Sequence, residues 1–378
     1  MLLLRLLDRQ ACLSYNSRMV RQFLAAVLLC CSVPALAEEK FRLGVIGLTH
    51  SHAWGHLRAA AQAPDVELVG VADPHEDLWE EARRVSKLQL KFYSDYRKLL
   101  EEARPQAVLS FVENNRHLEI VQACAPRKVH VMFEKPMAST LADARRMEQL
   151  ARQHGIRLMI NYPVAWRPET QAAYEQVQKG VAGKVWRARF LGGHGGPGGS
   201  GPEAGPNRYF HAWLDDPVKN GGGALIDFGC YGASYLRWYL GKPASVYAVV
   251  NRLKPEKYKT DDNAVLVLSY PNGVGIIEGS WDLPRSFSDL EVFGDKGSVH
   301  LAQKLEVYKG REREEVQAPP LPEDQRSAVV YFISRIRSGG PLHPLVSPEF
   351  GVDVMEILEA ARQSIATGRA IRLPLPAK

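Results

Sequence analysis

A carboxylate and a phenol on one predicted helix have residue types and a spacing that suit acid–base chemistry. Asp227 and Tyr231 are four residues apart in an apolar stretch that follows three consecutive glycines, 221–223. An i, i+4 spacing places both side chains on one face of a helix. A carboxylate can hold a substrate hydroxyl, and a phenol can transfer a proton if a nearby cation lowers its pKa from about 10. We therefore expect Asp227 and Tyr231 to be catalytic residues.

Three histidines, His50, His52 and His56, crowd one turn near the start of another predicted helix. His52 and His56 have the i, i+4 spacing that metal ligands on a helix can have. No carboxylate lies between them in the sequence, as an H-E-x-x-H site would require. We therefore expect no metal, and we assign His50 to contact with a phosphate.

The same turn has the position of a dinucleotide-binding loop. The β-branched run at residues 41–46 ends at Gly47, and a helical stretch follows at residues 52–62. Backbone N–H groups at such a helix N-terminus can bind a pyrophosphate. Only the first glycine of G-x-G-x-x-G is present, because Thr49 and His52 occupy the third and sixth positions.

Asp73 closes the second apolar run, 26 residues after Gly47. A carboxylate at that position can accept hydrogen bonds from ribose hydroxyls and repels a 2′-phosphate. The turn therefore predicts NAD in preference to NADP, bound by Gly47, Leu48, Thr49, His50 and Asp73. A nearby arginine or lysine would change that preference.

The elements around these residues predict two kinds of sheet. Strands alternate with helices up to residue 160, which predicts a parallel, doubly wound sheet of the Rossmann type. After residue 161, strands follow one another with few helices between them, which predicts an open, mainly antiparallel sheet in an α+β domain. The expected strands of the first part are residues 41–46, 66–72, 107–112, 129–133 and 157–160, and its helices 52–62, 76–85, 96–102, 117–125 and 142–153.

We accordingly divide the chain into a Rossmann domain at residues 38–160, an α+β domain at 161–320, and C-terminal helices at 321–378 that pack back on both. The second domain contains a loop rich in glycine and proline at residues 192–206 and a long apolar helix at 224–240. An open sheet with an exposed face commonly pairs with a partner, so we expect a homodimer or homotetramer.

Residues 1–37 have the pattern of a secretory signal peptide. A basic residue precedes an apolar run at 23–29, and Ala-Leu-Ala at 35–37 has the form of a cleavage site. Met19 is an alternative start that would leave residues 1–18 upstream. The apolar run is shorter than the roughly 20 residues that span a bilayer. We therefore expect an exported protein, periplasmic or secreted, with no membrane anchor in its mature form.

The composition excludes some classes of partner and site. The chain of 378 residues has a formal net charge of +6, of which residues 1–37 supply four arginines and one aspartate. No block of lysine and arginine stands out in the rest, so nucleic-acid binding has no support. Cys124 and Cys230 are the cysteines that remain after residue 37, far apart and without a CxxC, which does not indicate a disulfide framework or a structural zinc site.

Glu134-Lys135-Pro136 follows directly after the expected strand at residues 129–133. With this motif, the sequence resembles the Gfo/Idh/MocA oxidoreductase superfamily, from about residue 41 to about residue 373. Three further segments support the resemblance: residues 114–117 resemble the N-H-x-H turn, residues 183–185 open the second domain, and residues 221–232 resemble the GGG-x-x-x-D-x-G-x-H segment.

The resemblance implies that Lys135 lies near the nicotinamide and the substrate hydroxyl, and that Asn114, His117 and Glu134 contact the cofactor. The Lys135 ammonium can polarise a substrate oxygen, and we expect its pKa to fall toward the working pH in a desolvated site. Tyr231 stands where many relatives carry histidine. In this it resembles the branch that contains glucose–fructose oxidoreductase.

The resemblance also implies the reaction, which is hydride transfer between the nicotinamide and a carbinol carbon of a sugar or cyclic polyol. In this interpretation Lys135 and Tyr231 share the proton, and Asp227 fixes a neighbouring hydroxyl. We expect substrate contacts from four further residues: Asn161, Tyr162, Arg167 and His211.

Export leaves three interpretations open, because free nicotinamide cofactor is scarce outside the cytoplasm. The cofactor is bound tightly and recycled in an oxidoreductase. Alternatively, the protein is an NAD-dependent glycoside hydrolase that uses transient oxidation of a ring carbon. In the third interpretation, it is a non-catalytic binding protein with a dinucleotide-binding fold.

Overall fold

The computed structural model describes residues 39–376. The expected signal peptide at residues 1–37 and the alternative start at Met19 lie outside this part of the chain. Within residues 39–376, no helix combines the length and the apolar character needed to cross a membrane.

The first sheet is parallel throughout, with the strand order β3-β2-β1-β4-β5-β6. Its strands are Phe41–Ile46 (β1), Val66–Ala72 (β2), Phe92–Tyr93 (β3), Ala107–Ser110 (β4), His130–Glu134 (β5) and Leu158–Asn161 (β6). The helices of this part are Ala53–Gln62 (α1), Trp79–Ser86 (α2), Tyr96–Lys98 (α3), His117–Cys124 (α4) and Leu141–His154 (α5). The predicted doubly wound architecture is confirmed.

The central strands form because their residues are apolar on both faces. Every residue of β4 and β6 is buried, as expected when helices cover both sides of a parallel sheet. The strand order reverses between β1 and β4, which makes the carboxyl edge of these strands the crevice where such sheets bind ligands. Gly47, Asp73, Lys135 and Tyr162 follow directly after β1, β2, β5 and β6, so they lie at this edge.

The second sheet has nine strands in the order β14-β13-β12-β11-β7-β10-β9-β8-β15. Only β7 and β10 pair in parallel, so the expected mainly antiparallel sheet is confirmed. Its strands are Val185–Gly193 (β7), Ser245–Asn251 (β8), Asn263–Tyr270 (β9), Gly273–Ser280 (β10), Phe287–Gly294 (β11), Ser298–Leu301 (β12), Leu305–Lys309 (β13), Glu312–Val316 (β14) and Ile371–Arg372 (β15).

Helices cover one face of this sheet. The helices of the second part are Pro168–Gln178 (α6), Arg208–Leu214 (α7), Ala224–Asp227 (α8), Gly229–Leu240 (α9), Ala328–Ser338 (α10) and Pro348–Thr367 (α11). Helix α9 packs on β7 and β10, whereas α11 contacts both β8 and α5 of the first part. Side chains along β9 alternate between the two faces of the sheet. Leu266 and Leu268 are buried, whereas Val265 and Val267 are exposed on the opposite face.

The apolar stretch at residues 224–240 is two helices and not the one that we predicted. The break is at Phe228, which separates α8 from α9. Helix α8 begins where Asp261 accepts backbone hydrogen bonds from Gly223 N at 2.9 Å and Leu225 N at 2.7 Å. A Cβ atom at Gly223 would lie 1.8 Å from the Asp261 carbonyl oxygen, so this close approach requires glycine.

We predict that Gly223→Ala lowers the free energy of unfolding by about 2 kcal/mol or more, because the backbone must move to admit the methyl group. The matched control is Gly55→Ala within α1, where a Cβ would meet no atom within 4 Å. It should instead raise stability by about 0.5–1 kcal/mol. Chemical denaturation of both variants measures the two changes, and a Gly223→Ala protein as stable as wild type would contradict the account.

Candidate active site

A buried ion pair joins the end of β5 to helix α8. Lys135 Nζ lies 2.5 Å from Asp227 Oδ1 and also donates to the Asp227 carbonyl at 3.2 Å. Both side chains are only 7% exposed. Trp281 Nε1 donates to the other carboxylate oxygen, Oδ2, at 3.0 Å. The Asp227 carboxylate is therefore held on both sides, and it fixes the Lys135 ammonium at the edge of the first sheet.

The pair controls the charge of both groups. Burial alone would raise the pKa of Asp227, but the Lys135 ammonium outweighs burial and lowers it. Burial alone would lower the pKa of Lys135, but the Asp227 carboxylate outweighs burial and raises it. Our expectation that the Lys135 pKa falls toward the working pH was wrong, because desolvation is opposed by an anion in direct contact. The raised pKa keeps Lys135 as an ammonium at neutral pH, in which form it donates hydrogen bonds.

Tyr231 lies against this cation. Lys135 Nζ is 4.8 Å from the centre of the Tyr231 ring, within the range of a cation–π contact. Burial raises the pKa of Tyr231, and the opposing effect of Lys135 is too small to reverse the shift. The phenol therefore keeps its proton at neutral pH and can act as a proton donor. Tyr162, fully buried, meets the Tyr231 ring edge-on at 5.9 Å between centroids.

A cavity of about 340 Å³ opens beside Tyr231. Arg167 and His194 bring polar groups to it, and Phe190 and Phe228 give it apolar walls. Burial lowers the pKa of His194, so its imidazole is neutral at pH 7. A cavity with aromatic walls and a few convergent polar groups is typical of a small-molecule site.

The four predicted substrate residues do not all reach this cavity. Arg167 lines it, and Tyr162 lies behind Tyr231. Asn161 instead donates to Glu134 Oε1 at 2.7 Å and accepts from Trp166 Nε1 at 2.6 Å. His211 is half-exposed, contacts the carbonyl of Gly199 through Nδ1 at 2.7 Å and does not line the cavity.

Glu134 is the centre of a second polar cluster. Its side chain is 1% exposed, yet Oε2 lies 3.0 Å from His52 Nδ1 and Oε1 lies 3.0 Å from His56 Nε2. Burial would raise the Glu134 pKa, but the histidines outweigh burial and lower it. The pKa of His52 is raised, because Glu134 outweighs the effect of burial. The carboxylate that the sequence lacked between His52 and His56 is thus supplied by another element.

The glycine turn after β1 is tightly held. Gly47 has φ +82°, and a Cβ there would lie 2.8 Å from the backbone of Phe111, so the first glycine is required. Leu48 N donates to Asp73 Oδ2 at 2.6 Å. His75 N and Nδ1 both contact Asp73 Oδ1, at 2.7 and 2.8 Å. A carboxylate accepts about four hydrogen bonds, so Asp73 keeps one acceptor position for a ribose hydroxyl.

A segment of the second half covers this turn. Trp213 Nε1 donates to the Thr49 carbonyl at 3.2 Å. The His50 ring is buried, with its centre 4.5 Å from that of Phe210. Trp54 Nε1 donates to Asn207 Oδ1 at 3.1 Å. His50 and Thr49, expected to contact the pyrophosphate directly, therefore lie under a protein cover, which the sequence did not reveal.

The described residues nevertheless fit a dinucleotide at both ends of the crevice. A cavity of about 240 Å³ lies between Gly47, Asp73 and His75, where the adenosine half would sit. Asn114 Oδ1 and His117 Nε2 are buried and have no hydrogen-bond partner among residues 39–376. Buried polar atoms without partners suit a ligand that satisfies them. When bound, such a cofactor supplies the hydride chemistry, and the residues that would hold it are these five.

Comparison with known proteins agrees with this geometry. Residues 41–162 match the family model described as an oxidoreductase family with an NAD-binding Rossmann fold, and residues 170–300 match the GFO/IDH/MocA C-terminal domain. The chain belongs to the Gfo/Idh/MocA family.

Relatives in this family act on sugars and polyols. Myo-inositol 2-dehydrogenase of Thermotoga maritima is 27% identical, over 88% of this chain and 98% of the relative. D-apiose dehydrogenase of Rhizobium rhizogenes is 25% identical, over 68% of this chain and 75% of the relative. The aldose-aldose oxidoreductase of Caulobacter crescentus has a similar fold, with a TM-score of 0.76, 21% identity and coverage of 89% of this chain and 100% of that one. This Gfo/Idh/MocA protein is thus of the NAD(P)-dependent sugar or polyol dehydrogenase family.

Three important side chains of the site were not assigned to it from the sequence: Trp281, Trp213 and His56. Trp281 and Trp213 lie in no motif and reach the site by folding across 54 and 164 residues. The His52–His56 spacing was a usable signal, but its partner Glu134 lies 78 residues beyond His56.

We predict that Asp227→Asn lowers the free energy of unfolding at pH 7 by about 3–5 kcal/mol, because it leaves a buried ammonium without its anion. Since folding lowers the Asp227 pKa, the difference from wild type should shrink as the pH falls below about 4. The control Asp65→Asn removes one partner of the partly exposed pair with Arg337 and should cost less than about 1 kcal/mol. Equal losses in the two variants, measured by urea denaturation, would contradict the account.

Proposed function

We propose that this protein transfers hydride at a carbinol carbon of a sugar or cyclic polyol bound in the cavity beside Tyr231. The observation that carries the proposal is the contact of three side chains at the carboxyl edge of the parallel sheet. There the Asp227 carboxylate holds the Lys135 ammonium against the Tyr231 ring. A nicotinamide bound at the edge of the sheet would supply the hydride chemistry, whereas the protein positions the substrate and handles the proton.

The three residues divide the work by their charges. Tyr231 O–H is the proton donor when a carbonyl is reduced, and the same oxygen receives the proton when an alcohol is oxidised. The Lys135 ammonium stabilises negative charge on the reacting oxygen. The Asp227 carboxylate contacts Lys135 with one oxygen and Trp281 with the other, so it acts as a positioning residue for the ammonium, and its expected contact with a substrate hydroxyl stays a prediction.

NAD is the cofactor that we propose. Asp73 reaches the adenosine cavity as an anion that repels a 2′-phosphate. Arg97 and Arg116 line the same cavity and would attract that phosphate, but each already has carboxylate partners. Arg97 pairs with Asp95, and Arg116 pairs with Glu113 and Glu119. The arginines therefore offer little unpaired charge to NADP.

We also propose that the mature protein is exported and holds its cofactor tightly. The cover on the glycine turn supports tight binding, because Trp213, Phe210 and Asn207 contact Thr49, His50 and Trp54 from the other half of the chain. A cofactor that reaches the glycine turn can enter or leave only when these contacts open. In an exported protein, oxidation of one sugar and reduction of another in the same site would restore such a cofactor.

A second copy of this chain is the partner that we propose for the open face of the nine-stranded sheet. Four large apolar side chains on this face are 40–45% exposed: Tyr247, Val249, Val265 and Val267. Exposed apolar patches of this kind mark interaction sites, and a two-fold axis lets the same face pair with itself.

Lys135→Ala and Tyr231→Phe should each reduce turnover by at least about 100-fold, because each removes a group that acts on the reacting oxygen. Cofactor binding should persist in both variants. The control is Tyr239→Phe on the same helix as Tyr231, with a hydroxyl that has no partner among the described residues. It should retain wild-type rates. Nicotinamide absorbance with a panel of aldoses and cyclic polyols gives the rates, and near-normal turnover in Tyr231→Phe would refute the assignment.

The pH dependence of alcohol oxidation tests the charge states. The pKa values of Tyr231 and Lys135 are both raised, so the proton acceptor is scarce at neutral pH. We expect log kcat/KM for oxidation to rise by about one per pH unit up to at least about pH 9. A plateau between pH 6 and 8 would instead assign the base to His194, whose pKa is lowered.

Native mass spectrometry of the protein from its natural compartment tests cofactor, export and assembly together. We expect a chain that begins at Glu38, carries one NAD and forms a dimer or tetramer. Substituting Val265 and Val267 by glutamate should give a monomer that still carries NAD, because like charges would face each other in the contact. A chain that retains its first residues, an empty chain that NAD cannot load, or a wild-type monomer would each contradict the corresponding proposal.

A further inference from the structure

Two histidines and a carboxylate converge where the glycine turn meets the end of β5. One nitrogen each of His50 and His52 and one oxygen of Glu134 all lie within 4.8 Å of one another. His50 and His52 come from the turn before α1, whereas Glu134 is the last residue of β5. The elements that form the crevice therefore bring these donors together from distant parts of the sequence.

We propose that His50, His52 and Glu134 bind a Zn²⁺ ion. Two imidazoles and one carboxylate are a ligand set of catalytic zinc sites, which leaves the fourth tetrahedral position for an exogenous oxygen donor. Ligand bonds of about 2.1 Å place tetrahedral donors about 3.4 Å apart. The distance of 3.0 Å between His52 Nδ1 and Glu134 Oε2 is already close to this value, whereas separations of up to 4.8 Å within the cluster require the side chains to move closer together when the ion binds.

His50 contributes one nitrogen to the cluster from a ring that is held in place. Its Nδ1 accepts a hydrogen bond from His52 N at 3.1 Å, so an ion bound at this nitrogen would replace that hydrogen bond. Packing against Phe210 and Trp213 fixes the ring, with centroid distances of 4.5 and 5.7 Å. A ligand whose orientation is fixed by packing loses little entropy when it binds a metal.

The second oxygen of Glu134 has partners of the kind that surround metal sites. Oε1 accepts from Asn161 Nδ2 at 2.7 Å and lies 3.0 Å from His56 Nε2. Such outer contacts orient a ligating carboxylate and leave Oε2 for the ion. The His52 side chain is 40% exposed, which gives an ion a path into the cluster.

The proposed ion accounts for one of the two departures of the turn from the usual glycine motif. His52 replaces the glycine of the sixth position and becomes a ligand, and His50 stands at the fourth position, which the motif leaves open. A divalent cation there would supply positive charge to an oxygen ligand at a turn that has lost two of its three glycines. The proposal rests on the side chains alone and does not depend on hydride transfer.

Co²⁺ and Zn²⁺ binding to untagged, EDTA-treated full-length protein tests the site. We expect one Co²⁺ per chain with the intense visible bands of four-coordinate cobalt, displaced by one equivalent of Zn²⁺ that elemental analysis detects. His52→Asn and Glu134→Gln should each weaken the affinity for Co²⁺ by at least about 100-fold. The control His211→Asn removes a histidine of helix α7 that is not part of the cluster, and this variant should bind Co²⁺ as wild type does.

Substoichiometric binding of both metals by wild type would overturn the proposal and leave the cluster as a hydrogen-bonded network. Equal affinity in wild type and His52→Asn would overturn it as well. His52 is partly exposed, so its variant should fold even if Glu134→Gln does not, and circular dichroism establishes this. NAD binding to the same samples is measured separately, so failure of the metal site and failure of the oxidoreductase proposal are distinguishable.

Discussion

The contact between Lys135 and Asp227 is the interaction on which the rest of the site depends. Both charges are almost completely removed from water, and at 2.5 Å each is the other's main stabilising partner. A buried pair of this kind is costly to break, because the charge that remains has no compensation. Lys135 is fixed by the end of β5 and Asp227 by α8, so the pair also joins the parallel sheet to the second half of the chain.

This constraint decides which chemistry each group can perform. Asp227 keeps Lys135 charged, and Tyr231 next to that charge still keeps its proton because burial dominates its pKa. Neither side chain is a ready base at neutral pH. The site is therefore better prepared to donate a proton to a carbonyl oxygen than to remove one from an alcohol. In a protein that recycles one cofactor, the proton-donating groups would assist the step in which a second sugar is reduced.

The sequence predicted the features that depend on local pattern. Apolar runs such as residues 41–46 and 107–110 form buried parallel strands, and the i, i+4 spacing of Asp227 and Tyr231 brings both to Lys135 despite the break at Phe228. It did not predict strands β12 to β14. The last of these, residues 312–316, is mostly charged and exposed, so it lacks the apolar alternation by which strands are recognised.

The misjudged features depend on partners that are distant in sequence. Desolvation of Lys135 was expected, but its pKa depends on an anion 92 residues away. The histidines of the glycine turn were correctly seen as a cluster, yet their carboxylate comes from β5. Periodicity determines which face of an element is buried, whereas the pairing of two charged groups depends on how elements from different parts of the chain meet.

The most direct test of this account is the titration of the Lys135 side chain, followed by NMR of the protein labelled with ¹⁵N at lysine Nζ. The account predicts that the Lys135 resonance, assigned by its loss in Lys135→Ala, remains that of an ammonium to above about pH 10, and that Asp227→Asn lowers its pKa. A Lys135 resonance that titrates below pH 8 in the wild-type protein would contradict it.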